Sequence, residues 1–332
     1  MPLLPTTLEL SRWREKPEGL AHRRWAIASL GIKRVMRLKF FRLLLIVAWG
    51  SALAVAGIAF SFGQAVATGG WLESFAAHFG PRVTAIASST GALILLYPDI
   101  CVGGLFTLLF WVQAGVSMVL CLVALTLVIP GLITRDRSSH ALTIYLSRPL
   151  TTVDYLLGKL GIIIAALAVL WTGPLLVSWV LAMLLSPNLD FLTYSLAPLG
   201  HALLFNAVAL VVLASIALGV SASAHSSSRA VLAWLGAWLI LGVIANLGHS
   251  PTWLRDMSFS YDLDQIRRSL FQPGAALVRA AAELPMLNSD LAKHLHNAGE
   301  NISPHGTGQA VAGLVLLTFA GSLVFLRKLR PE

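Results

Sequence analysis

Six stretches of the chain contain no Asp, Glu, Lys or Arg: Leu43–Leu72, Leu105–Thr134, Leu160–Leu189, Phe191–Ser228, Ala230–Leu254 and Asn301–Leu326. A helix rising about 1.5 Å per residue needs about 20 apolar residues to cross about 30 Å of hydrocarbon, and each stretch is longer than that. Core helices of soluble domains rarely run so far without a charge. The pattern predicts an all-α, polytopic membrane protein with six transmembrane helices. A seventh uncharged stretch, Val83–Pro98, is shorter and carries Thr84, Ser88, Ser89 and Thr90. It reads as a re-entrant or surface helix rather than a span.

The polar remainder sets the expected organisation. Residues 1–42 form a tail followed by an amphipathic stretch, with Arg23, Arg24, Lys33, Arg34, Arg37, Lys39 and Arg42 interleaved among Trp25, Ile27, Leu30, Ile32, Val35, Met36 and Phe40. Such a helix lies in the headgroup layer, cations on anionic lipid and apolar residues beneath, although a plain positive flank to the first span gives the same composition. Residues 43–326 form the six-span domain and 327–332 a short C-terminus. Two connections, 63–103 and 248–307, are long enough to be folded. The second mixes helix-compatible stretches with Pro251, Pro273, Pro285 and Pro304. It reads as an extracytoplasmic cap and a place for an extracytoplasmic partner.

Composition removes the soluble alternative. Of 332 residues, 57% are hydrophobic and only 12% charged, half the charge of an ordinary soluble domain. The net charge of +9 suggests nucleic acid only until it is mapped. With six spans, 18 of the 24 Lys and Arg fall on the side of the termini, giving +12 there and −3 on the other side. Cytoplasmic loops carry the basic excess, so both termini are expected in the cytoplasm, with lipid and not nucleic acid facing the basic residues. Residues 1–42 show no apolar core of a secretory signal. Cys101 and Cys121 sit about 30 Å apart on one predicted helix and read as free thiols.

Candidate chemistry is sparse. Of Asp, Glu, Lys, Arg and His, only His201 and His225 lie in the predicted spans, with His249 and His305 toward their ends. Intramembrane carboxylates mark proton-coupled carriers, so that class is disfavoured. Gln113, Asn206 and Asn246 read as interhelical hydrogen-bonding groups. The nearest serine elbow, Gly219-Val220-Ser221-Ala222-Ser223, lacks its closing glycine. His249, His294, His296 and His305 read as solvated loop histidines rather than metal ligands. Gly158-Lys159 is followed by Leu160, so no phosphate-binding loop exists. Neither a catalytic residue, a metal site nor a bound cofactor is expected on this chain.

One cytoplasmic segment carries more pattern than a connection needs. It runs Arg135-Asp136-Arg137, then Leu142, Tyr145 and Leu146 on one side of a short helix, Ser147-Arg148-Pro149-Leu150 as a break, and Thr151 or Thr152 capping a second helix with Asp154 in its first turn. The series Leu146-Ser147-Arg148-Pro149-Leu150-Thr151 and Asp154-Tyr155-Leu156-Leu157-Gly158-Lys159 resembles the cytoplasmic connection of type-2 ATP-binding-cassette (ABC) permeases, the membrane subunits of many bacterial exporters. The match is specific over about 25 residues; the six-span layout extends it loosely over the chain. Ser139-His140-Ala141 departs from the Gly-Thr common there, and the first external loop is long.

The resemblance implies a multi-pass subunit of the bacterial cytoplasmic (inner) membrane, paired with a second permease copy in a homodimer or pseudo-dimer. A separate cytoplasmic ABC ATPase, which binds the ATP and Mg, would dock on 135–159. Arg135, Asp136, Tyr145, Arg148, Pro149, Asp154, Tyr155 and Lys159 are then the residues expected to couple the two subunits. The uncharged interior suits export of a hydrophobic or amphipathic substrate. Two other readings fit the same residues: a non-transporting ABC subunit passing motion to an extracytoplasmic partner, and a membrane-embedded enzyme without a recognised motif.

Overall fold

The computed structural model describes residues 20–66, 71–132, 134, 152–186, 190–245, 255, 257–284, 289–304 and 306–328. Among them all regular structure is helical. Six helical runs have the length and apolarity to cross a membrane: Lys39–Gln64, Pro98–Gly131, Asp154–Leu184, Phe191–Ser223, Ser227–Ala245 and Ser289–Phe325. They coincide with the six uncharged stretches of the sequence.

In chain order, α1 (Leu20–Met36) precedes the first span, α2 (Lys39–Gln64), and the extended backbone of Leu38 separates them. α3 (Trp71–His78) and α4 (Pro81–Leu96) follow. At 16 residues, α4 is too short to cross. It packs on α3 and on the beginning of the second span, α5 (Pro98–Val128). Pro98 starts α5 because a helix tolerates proline in its first turn, where the missing N–H has no partner to lose. The third span is broken at Trp171, whose backbone (φ −123°, ψ −63°) divides α6 (Thr152–Leu170) from α7 (Thr172–Leu184).

The fourth span, α8 (Asp190–Ser223), is 34 residues long. The fifth joins α9 (Ser227–Leu235), a π turn at Gly236–Ile240 and α10 (Leu241–Ala245); the Ser226 hydroxyl caps α9 by accepting from the Arg229 N–H. Then come α11 (Phe259–Phe271), α12 (Pro273–Glu283), α13 (Ser289–Ile302) and the last span, α14 (Thr307–Lys328).

α5 and α8 form the buried centre, while α2 and the fifth span are peripheral. α8 crosses α14 closely. A Cβ on Gly219 would lie 2.8 Å from Gly321 Cα, and one on Gly321 would meet the Ser215 carbonyl at 2.8 Å. Small residues let the two backbones touch, which is how helices gain contact where lipid removes the hydrophobic drive. Two sets of contacts mark the ends of the bundle. At one end Asp99 pairs with Arg279; at the other, the Ser221 hydroxyl donates to the Ile129 carbonyl at 3.0 Å.

The described part of 248–307 holds α11, α12 and α13. α12 and α13 do sit at the Asp99 end, but α11 does not. Phe259 packs on Trp234, whose indole N–H donates to the Leu122 carbonyl, about 36 Å down α5 from Pro98. Ser260 donates to the Trp238 carbonyl. From that depth α11 runs back along α5, α8 and α14 until Phe271 meets Phe205. α11 therefore lies along the bundle as an amphipathic helix rather than beyond its end. Its buried face (Phe259, Leu263, Ile266) supplies the reason.

Candidate functional site

Two places gather the residues with chemistry. The first is the start of span three. Asp154, Tyr155 and Lys159 occupy the first two turns of α6 and are buried, with Lys159 Nζ 5.3 Å from the centre of the Tyr155 ring. Asp154 lies in the first turn, where the helix dipole favours an anion. These three side chains face protein, not a surface. Beside them runs α1. Ala28 packs on Gly161, and Ile162 fills the space where a side chain at position 31 would be, so Gly31 permits the contact. Lys33, Arg34, Arg37 and Lys39 remain exposed. The apolar face of α1, expected on lipid, is thus at least partly satisfied by α6: Ala28 and Val35 are buried. Arg23 and Arg24 lie in α1, but their side chains fall outside the described set. Arg135, Asp136, Tyr145, Arg148 and Pro149 lie outside the described residues altogether.

The second place is α11, which brings charge into the bundle. Asp264 accepts from Arg267 through Oδ1 and from Arg268 Nε through Oδ2 at 2.7 Å, and both partners of the Arg267 pair are largely buried. Arg267 Nη1 also donates to the Trp111 carbonyl at 2.7 Å, with the guanidinium 4.7 Å from the Trp111 ring centre. That carbonyl is accessible because the residue one turn on is Gly115, and the guanidinium occupies the space a Cβ there would take. One arginine thereby fastens α11 to the middle of α5.

A family model described as "ABC-2 family transporter protein" matches residues 32–327, nearly the whole chain. The chain belongs to the ABC-2 transporter family. No curated protein matches it. Membership makes it the multi-pass membrane protein of an ABC transporter and implies an ATPase partner, since the family's permeases carry no ATPase motif of their own.

Within this ABC-2 protein two interior hydrogen bonds join α7 to α8 and to α5. Thr172 donates to Asn206 Oδ1 at 2.8 Å and Ser178 to Gln113 Oε1 at 3.2 Å. Gln113 Nε2 and Asn206 Nδ2 are buried with no hydrogen-bond partner among the described residues. His225 is exposed in the turn before α9, and Asn246, His249 and His305 lie outside the described residues. His294 and His296 are exposed on α13, where His296 faces Glu300 at 3.4 Å. His201 is exposed and lines a hollow with Asp99 and Arg279. There the Glu283 and Asp99 carboxylates raise the Arg279 guanidinium above its usual range.

Asp264, Arg267 and Trp111 were not singled out by the sequence reading. The available signal was the spacing Phe259, Leu263, Ile266, Leu270, an apolar helical stripe.

Proposed function

We propose that this chain is the permease of an ABC exporter in the bacterial cytoplasmic membrane, moving a hydrophobic or amphipathic substrate. Two permeases, identical or homologous, pair in the membrane, and each receives a cytoplasmic ATPase that binds ATP and Mg. The ATPase docks on 135–159. Arg135, Asp136, Tyr145, Arg148 and Pro149 supply the docking contacts, while Asp154, Tyr155 and Lys159 brace the base of span three.

The observation that carries this reading is the α1–α6 pair. A segment that ends in a helix start buried against a second helix cannot move alone. A push on 135–151 is passed to span three and to α1 together rather than absorbed locally. The exposed Lys33, Arg34 and Arg37 hold that lever at the anionic headgroup layer.

The test is to purify the tagged chain from native membranes and identify what accompanies it. A nucleotide-binding subunit is expected, with ATPase activity that falls several-fold in Arg148→Glu while the thermal midpoint of the permease is unchanged. Absence of such a subunit, or an unaltered rate in the variant, rejects the docking role.

A further inference from the structure

Two hollows are stacked along one face of α8. The first, about 330 Å³, opens at the Asp99 end between α5, α8 and α12 and is lined by Asp99, Thr107, Tyr194, His201, Phe271 and Arg279, among others. It holds both signs of charge: Arg279 Nη2 donates to Asp99 Oδ2 at 2.7 Å, and each side chain is about half exposed. The second, about 810 Å³, is a groove between α8, α11 and α14. Its walls are aliphatic and aromatic, with Val208, Val211, Leu270, Val315 and Phe319 prominent and no charged side chain. Val211, Val315 and Phe319 are exposed within it.

The hollows share no residue, yet they meet. His201 of the first and Leu204 of the second are one turn apart on the same side of α8, and Phe271 and Leu270 are neighbours on α11. Depth separates their chemistry. At 34 residues α8 is about 51 Å long, so about 20 Å of it projects beyond a hydrocarbon layer of about 30 Å. The polar hollow is confined to the part of α8 up to His201, about 17 Å from its start, and the apolar groove begins one turn further on at Leu204. A charged cavity next to an apolar groove on the same face of a membrane-spanning helix has the outline of a lipid.

We infer that the two hollows are one binding site for a zwitterionic glycerophospholipid drawn from the surrounding leaflet. Its phosphate replaces Asp99 on Arg279, with His201 and Tyr194 beside it; its ammonium takes Asp99; one acyl chain lies in the groove. The existing ion pair selects the head. An anionic head would claim Arg279 and leave the Asp99 carboxylate without a counter-charge, whereas a zwitterion satisfies both halves. The site belongs to the permease alone and does not depend on ATPase docking.

The test uses the full chain purified from native membranes and reconstituted in nanodiscs with phosphatidylethanolamine or phosphatidylglycerol carrying an acyl-chain diazirine. Photolysis and peptide mass spectrometry then map the label. The ethanolamine probe is expected to label Val208, Val211, Val315 and Phe319 at least five-fold above the exposed α2 residues Leu43, Ile46 and Leu53, and the glycerol probe is expected to stay at the α2 level. Val211→Trp, which fills the groove, and the paired change Asp99→Ala with Arg279→Ala should each bring the ethanolamine label down to that level without lowering the thermal midpoint.

Equal labelling of groove and α2 by both probes means ordinary annular lipid and overturns the site. So does a disulfide between copies through Val315→Cys that excludes the label, which would give the groove to a second permease. Co-purification of the ATPase, scored on the same preparation, reports separately on the proposed function.

Discussion

Arg267 shows how one residue can hold a charged helix against an apolar bundle. Its charge is offset by Asp264, its fork reaches the Trp111 carbonyl, and its flat face lies near the Trp111 ring. A hydrogen bond from a charged donor is worth about 1.5–3 kcal/mol, and in this largely buried setting the loss is felt at the high end. Arg267→Leu is therefore expected to lower stability in detergent by about 2–3 kcal/mol, and Arg267→Lys, which keeps the charge but not the fork, by less. Gly115→Val should mimic Arg267→Leu although it removes no charge, because it closes the notch that admits the guanidinium. Denaturation midpoints that leave Gly115→Val at wild-type stability would show that Arg267 does not reach the α5 backbone. The two thiols give a second test at this scale. Cys121 is fully buried and Cys101 only partly so. A maleimide should modify Cys101 in the folded protein and Cys121 only after denaturation; early modification of Cys121 would contradict the packing of α5.

Among elements, the α1–α6 pair makes the sharpest prediction. Gly31→Leu inserts a side chain where Ile162 already sits, so α1 should separate from α6. Amide exchange across residues 28–36 should then rise by at least an order of magnitude while α2 stays protected. Unchanged exchange in α1 would mean that lipid, not α6, holds it. The same scale shows what was legible in the sequence. The six spans were, because a run of uncharged residues longer than a bilayer has few other uses. α11 was not, because the pattern that marks a membrane segment is the absence of charge, and α11 carries Asp262, Asp264, Arg267 and Arg268. Three of those are paired with each other, which is what lets a charged helix sit among apolar ones, and such pairing is invisible along the chain. The segment proposed for coupling presents the reverse case: its motif is plain in the sequence, yet of the eight residues expected to couple only Asp154, Tyr155 and Lys159 lie in the described structure.

At the scale of the molecule the remaining question is which end faces the cytoplasm. Moving α11 from the external loop into the bundle alters the charge map less than its four charges suggest. Two are acidic and two basic, so the far side still carries −3 against +12 on the side of the termini. The structure also strengthens the basic side, since Lys33 and Arg34 of α1, Arg37 after it and Lys39 at the start of α2 are exposed, where lipid phosphates can reach them. The end bearing Ser221, His225 and Arg229 is thus expected in the cytoplasm and the Asp99–Arg279 end outside. In a variant lacking Cys101 and Cys121, a membrane-impermeant maleimide applied to intact cells should label His296→Cys and spare His225→Cys until the cells are opened. The inverse pattern would carry a consequence beyond orientation. It would put the basic face of α1 and the base of span three outside, away from any source of ATP, and the coupling role of 135–159 would fall with it.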